Sequence, residues 1–210
     1  MREVKSPLNY EEFLRVREGF SEQTELIDGV MYVTPSPTRL HQLVGLRLIR
    51  LFDQRFLRSG GGSLYFAPLD FRMGENTIVQ PDLAVVLDER AHILDEEPTT
   101  GSPSIVIEIL SPSTSRMDLY IKRDLYAAQD VPEYWIVDSN ARTVTVHSNP
   151  GDGRYRSVVT SLDVARSVQL PDISINLEDL FSPYYPQSHS ATIPGSTEVA
   201  THFAPQSPIS

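Results

Sequence analysis

The chain has 210 residues, 18 basic against 28 acidic side chains for a formal net charge of −10, and no cysteine. The acidic balance argues against a surface coated with nonspecific nucleic-acid affinity while leaving room for a local basic patch, and the missing thiols exclude a disulfide framework and any thiolate metal site. The length sets a prior of one domain, read here as residues 1–183, followed by a tail.

The N-terminus, Met1-Arg2-Glu3-Val4-Lys5, lacks the apolar core of a signal peptide, and no apolar run is long enough to cross a bilayer. A soluble cytoplasmic protein with no membrane partner is therefore expected. Asn9 followed by Glu12 has the form of a capping box, and Tyr10, Phe13 and Leu14 fall at helical spacing, which predicts a short helix over residues 10–18. Residues 24–33 read as a hairpin, because Asp28-Gly29 between apolar runs suits a turn that needs positive φ twice. Glu25 lies on its first strand and reads as a strand-end charge. Pro35 and Pro37 then break the ladder.

Residues 38–58 predict the longest helix, with Val44, Leu48, Leu51 and Phe52 on one face and Arg47, Arg50, Gln54 and Arg58 on another. The arginine stripe reads as a solvated face, with phosphate contact as the competing reading. His41 shares the side of Val44 and Leu48 and reads as a core or boundary histidine. After Gly60-Gly61-Gly62, residues 65–73 predict one strand and residues 77–87 a second, interrupted at Gln80-Pro81-Asp82 where proline removes a ladder donor. Asp82 then stands at the mouth of the sheet, and Gln80 reads as a turn amide. Residues 88–104 read as a charged surface loop.

Residues 105–110, Ile-Val-Ile-Glu-Ile-Leu, are too short for a buried helix and rich in β-branched side chains, so they predict a strand covered on both faces. Glu108 in its middle is the most informative anomaly of the chain. An ionised carboxylate buried there costs several kcal/mol unless it is paired, hydrogen-bonded or bound to a metal. Ser111 to Thr114 is turn chemistry, and Ser115 with Asp118 has the form of a capping box opening a helix to about residue 129, with Ile121, Leu125 and Ala128 on one face. Ser111 and Ser113 read as turn and cap residues, not nucleophiles, since no Gly-x-Ser-x-Gly surrounds them. Residues 134–137 predict a second buried strand with Trp135 in the core. Such a crossover lays the helix across the sheet, so the Lys122 ammonium is expected to reach towards Glu108; the bland reading is a surface pair with Asp118. A hairpin over residues 143–147 and 155–159 and a short helix at 177–180 close the domain, and the Ser/Thr/Pro-rich residues 184–210 are expected to be disordered.

The predicted fold is α/β, a central mixed β-sheet flanked by helices and carrying β-hairpins. Within it, Asp82, Glu108 and Lys122 form a kit suited to metal-assisted phosphodiester hydrolysis: two carboxylates hold Mg²⁺, and a lysine orients water and offsets charge on the phosphate. The bland readings are a turn-capping aspartate and a glutamate paired structurally to Lys122. A carboxylate-pair glycosidase is weaker, since nothing predicts an aromatic sugar cleft.

Pro81-Asp82 followed by Glu108-Ile109-Leu110 resembles the PD-(D/E)XK signature of restriction-endonuclease-like nucleases. Together with Glu25-Leu26-Ile27-Asp28-Gly29, Lys122 and the block from Pro132 to Asp138, the chain resembles, over roughly residues 10–180, the Uma-type bacterial family of restriction endonucleases, formerly a domain of unknown function. The resemblance implies a Mg²⁺-dependent DNA endonuclease, with Mn²⁺ as a substitute metal, Asp82 and Glu108 as metal ligands, and a homodimer with no organic cofactor. Leu110 stands where the superfamily carries lysine, and the resemblance implies that Lys122 takes that role. It also implies a water-mediated metal contact from Glu25. The alternative is a catalytically inactive nuclease-fold module that binds DNA or protein, for which the acidic charge and Leu110 speak.

Overall fold

The hairpin forms as its turn chemistry requires: the strands Gln23–Ile27 and Val30–Thr34 pair antiparallel across a turn with φ of 49° at Asp28 and 78° at Gly29. It belongs to a computed structural model that describes residues 2–5, 7–95, 98–111 and 115–182. The predicted tail at 184–210 and the turn residues Pro112 to Thr114 lie outside these. Helix Tyr10–Arg17 opens with both bonds of the Asn9/Glu12 capping box. Among the described residues, no helix is long and apolar enough to cross a membrane.

The α/β class holds, with the strands of the described residues gathered into two six-stranded mixed sheets and a small two-stranded one, Val164–Arg166 with Ser174–Asn176. One six-stranded sheet runs Arg2–Lys5, Val30–Thr34, Gln23–Ile27, Thr77–Val79, Phe71–Gly74, Thr99–Thr100; the other runs Arg154–Ser161, Thr143–Gly151, Glu133–Asp138, Ile105–Ile109, Leu83–Leu87, Gly62–Phe66. Prolines divide them. The single strand expected over residues 65–73 is split around Ala67-Pro68 into Gly62–Phe66 of the second sheet and Phe71–Gly74 of the first. Likewise Gln80-Pro81-Asp82 ends Thr77–Val79 in the first sheet and delivers Leu83–Leu87 to the second. Where the ladder loses a donor, the chain changes layers. The loop expected at 88–104 contains a 3₁₀ helix, Asp88–Leu94, and the edge strand Thr99–Thr100.

Strands Ile105–Ile109 and Glu133–Asp138 pair in parallel, as the strand-helix-strand reading requires. Alternation along them separates two cores. Ile105, Ile107, Ile109 and Trp135 pack with Val44, Leu48 and Phe52 of helix Arg39–Ser59, whereas Val106 and Ile136 face Ile27 and Val79 of the first sheet. Glu108 shares the parity of Val106, and so its side chain enters the space between the sheets. Arg47 of the stripe expected to be solvated is structural instead, donating to the carbonyls of Leu180 (2.8 Å) and Ser182 (2.6 Å) beside helix Leu177–Leu180.

The predicted helix after Glu108 departs most from expectation. Residues Met117–Lys122 form a π-helical turn that passes into the α-helix Arg123–Ala128. Its i→i+5 bonds make the turn wider than α. The buried face therefore slips by one residue: Ile121 and Ala128 are exposed, while Met117, Asp118, Lys122, Leu125 and Tyr126 are buried.

His147 supplies a pH-dependent element of stability. Its ring lies between those of Tyr134 and Tyr155 at centroid distances of 5.7 and 5.6 Å, its Nδ1 is buried without a partner, and burial, reinforced by the charge of Arg123, lowers its pKa from 6.5 to about 4. The unfolded chain thus binds more protons than the folded one between those values. Stability contributed by neutral His147 is complete above pH 6.5 and lost as pH falls towards 4, by up to about 3 kcal/mol. Urea unfolding across that window reads the slope, and His147→Phe, which keeps an aromatic ring in place, flattens it; an equal slope in the variant sinks the assignment.

Candidate active site

Asp82 and Glu108 are brought together by register. In the antiparallel pairing of Leu83–Leu87 with Ile105–Ile109, Leu83 faces Ile107 and Ala84 faces Val106, so one step past the last pair sets Asp82 opposite Glu108. The aspartate is anchored there, Oδ2 accepting from the backbone N–H of Ile109 (2.8 Å) and from His41 Nε2 (3.1 Å). The imidazole must donate, since a carboxylate only accepts. Burial alone would pull His41 below the ordinary histidine range, but the hydrogen bond and charge of Asp82 outweigh it and raise the pKa.

Lys122 reaches Glu108 as predicted. Its Nζ donates to Glu108 Oε1 at 2.8 Å and lies 3.0 Å from Glu25 Oε1 and 3.8 Å from Asp118 Oδ1. The same Glu108 oxygen accepts from the Tyr126 hydroxyl at 2.7 Å. Glu25 is 1% exposed, so the strand-end surface charge expected of it is corrected to a buried member of the cluster. The Asp118 side chain, expected in a capping box with Ser115, lies buried against Lys122 on the wide turn. Burial raises the Glu108 carboxyl well above its ordinary range against the pull of Lys122, and Asp118, Asp82 and Glu25 push it further. For Lys122, burial pulls down, but Glu108, Glu25 and Asp118 together outweigh it and hold an ammonium.

All of these groups except Tyr126 line one cleft of about 480 Å³ between the sheets, together with His41 and Gln80. Gln80 is tied in through its backbone, whose N–H donates to Glu25 Oε1 at 2.6 Å, and through its side-chain amide, which donates to Asp70 Oδ1 at 2.6 Å. Glu25 Oε2 and Gln80 Oε1 are buried without a hydrogen-bond partner. Glu133, another acid within a buried strand, makes the contrast: it accepts from the N–H groups of Val168 and Gln169 at 2.7 Å each and from the Trp135 indole. That acid is fully used by the fold.

Among the described residues, no group of three or more His, Cys, Asp or Glu side chains is gathered as a metal cage. A hydrated Mg²⁺ does not require one, since it keeps several waters and takes one or two carboxylates. Asp82 and Glu108 fit that requirement, because three carboxylates share the Lys122 ammonium, Asp82 adds its charge to Glu108, and an orphaned Glu25 oxygen lies in the same cleft. The surplus negative charge is what a divalent cation would neutralise.

Two members of the cluster, Tyr126 and His41, are not singled out by the sequence pattern as site residues. Tyr126 was legible in principle, since Asp118, Lys122 and Tyr126 recur every four residues and so form a polar stripe on the helix. His41 carried no such signal. It shares a side with core residues, and only the proline crossing that carries Asp82 to this end of the sheet makes it a site residue.

A family model described as "Putative restriction endonuclease", Uma2, matches residues 10–178. An uncharacterized protein of Synechocystis sp. (strain ATCC 27184 / PCC 6803 / Kazusa) is 26% identical over 175 residues, covering 80% of this chain and 87% of that one. The fold is similar to a crystal structure described as "a putative nuclease belonging to DUF820" from Anabaena variabilis ATCC 29413, with a TM-score of 0.68 and 20% identity, covering 84% of this chain and 98% of the other.

Proposed function

The chain belongs to the Uma2 family, and on that premise we propose that it is a Mg²⁺-dependent endonuclease hydrolysing DNA phosphodiester bonds. The observation that carries the reading is the convergence of Asp82, Glu108 and Lys122 on one cleft, two carboxylates set opposite each other with a buried ammonium on one of them.

Asp82 and Glu108 would hold the ion, with Mn²⁺ able to substitute for Mg²⁺. When bound, the metal polarises the phosphate and acidifies the attacking water. Lys122 keeps its proton on Nζ and therefore acts by charge, orienting water and offsetting the negative charge that develops on the phosphate oxygens. Leu110 fills the core between the sheets, so the superfamily lysine position carries no chemistry here. Glu25 contributes through Lys122 and through a water. Cutting both strands of a duplex calls for two such clefts, hence a homodimer.

A second reading, the non-catalytic module, draws support from Glu108 Oε1 being already satisfied by Lys122 and Tyr126. Plasmid nicking during Mg²⁺ and Mn²⁺ titration, with chelator controls and calorimetry of the metal alone, separates the two. Nicking that rises with metal, vanishes with chelator and accompanies a binding heat is expected. Cleavage persisting in chelator rejects the proposed chemistry, and absence of both heat and nicking favours the module.

A further inference from the structure

Each of the two acids has one oxygen held by a pair of donors. Asp82 Oδ2 accepts from the Ile109 backbone and from His41 Nε2; Glu108 Oε1 accepts from Lys122 Nζ and from the Tyr126 hydroxyl. Four donors on two oxygens fix the rotation of both carboxyl groups; both acids line the cleft, and the other oxygen of each, Oδ1 of Asp82 or Oε2 of Glu108, accepts no hydrogen bond from the described residues.

We propose that His41 and Tyr126 are positioning residues that clamp Asp82 and Glu108 so that one oxygen of each is presented to a divalent cation, an inference that rests on the metal-dependent reading above. The two clamps come from different elements. His41 is in the first turn of the long helix, whose N-cap Thr38 accepts from the His41 backbone N–H at 3.2 Å, so the ring's root is fixed by the cap. Tyr126 belongs to the helix that follows the π turn and is fully buried, its ring 4.9 Å from that of Tyr134. Both are therefore rigid, and rigidity is what a clamp needs. Neither would touch the cation, and each would act through the acid it holds. Outer partners of this kind typically change metal affinity by about one to two orders of magnitude.

The test reads the affinity for Mn²⁺ alone, by calorimetry and by electron paramagnetic resonance, in wild type, Tyr126→Phe, His41→Leu and His41→Gln. Tyr126→Phe removes a single oxygen, and His41→Gln returns an amide N–H near the position of Nε2. Expected are Kd values about 10- to 100-fold weaker for Tyr126→Phe and His41→Leu, with His41→Gln recovering most of the loss, and thermal midpoints without metal that do not track the affinities. A purely structural role would move the midpoints and not be rescued by glutamine. Variants that bind Mn²⁺ as wild type does, while Asp82→Asn abolishes binding, overturn the clamp and leave the metal reading standing. Wild type that takes up no Mn²⁺ overturns both.

Discussion

Lys122→Met lowers the free energy of unfolding at neutral pH by about 3–5 kcal/mol, the range found when one partner is removed from a buried ion pair. Methionine keeps the length and the apolar stem, so little packing is lost. What disappears is the only ammonium among the described residues that faces Glu25, Glu108 and Asp118 together, and all three acids are at least 96% buried. The defect should depend on pH in a definite direction. The Lys122 charge holds the Glu108 carboxyl lower than burial alone would, so its removal raises that group further; over the pH range in which the folded wild type has released this proton and the folded variant still binds it the deficit grows with pH, and it shrinks as pH falls towards the ordinary carboxylate range. Urea unfolding of wild type and variant at mildly acidic and at alkaline pH reads both features. A variant within about 1 kcal/mol of wild type at all pH values, the size of an exposed pair, would mean that the cluster is solvated and not buried.

The second large effect is on activity. On the proposed reading, Glu108→Gln should reduce DNA cleavage by about 10³-fold or more, because it would remove one of the two carboxylates proposed to hold the divalent ion, and should leave stability unchanged or improved. Glutamine Oε1 still accepts from Lys122 and Tyr126, while the cost of a buried negative charge is gone. Asp82→Asn should behave alike, since its remaining carbonyl oxygen can accept from Ile109 and His41. Cleavage assays at saturating Mg²⁺, paired with thermal melts of the same preparations, provide the measurement. Undiminished cleavage in either variant rejects the assigned role, whatever the melts say. The opposite signs of the stability effects at Lys122 and Glu108, two side chains 2.8 Å apart, distinguish a surplus of buried negative charge from a balanced salt bridge, for which both substitutions would destabilise.

Much of this was legible in the chain because local chemistry and tertiary demand agree. Asn9 and Glu12, Asp28-Gly29, and the apolar face of Val44, Leu48 and Phe52 each point to the element that forms. Glu108 was legible for the opposite reason, as a local rule broken inside a buried strand. What could not be read was where the chain changes layers. A proline can end a strand, serve an edge or mark a bulge, and nothing at Pro68 or Pro81 distinguishes these from a crossing between two sheets. The π turn was hidden for a similar reason. Pattern matching at a period of 3.6 put Ile121 inward, whereas one wider turn puts Lys122 there, and no residue of Met117 to Lys122 announces the change. The sequence also could not rank its acids. Glu25 and Glu133 look alike as isolated charges in strands, yet one is drawn into the cleft by pairing across Thr77–Val79 and the other is consumed by backbone donors from a distant loop.

One feature of the cluster reaches beyond chemistry. Glu25 belongs to the first sheet, Glu108 to the second and Lys122 to the helical turn that follows it, so a single nitrogen links all three, beside apolar contacts, chain crossings and the Tyr126 and Tyr134 hydroxyl bonds between helix and second sheet. Neither sheet can slide past the other without stranding a charge in a medium that cannot solvate it. Cooperativity of the whole domain is thereby concentrated at the place where the reaction would occur, and partial unfolding cannot spare the site.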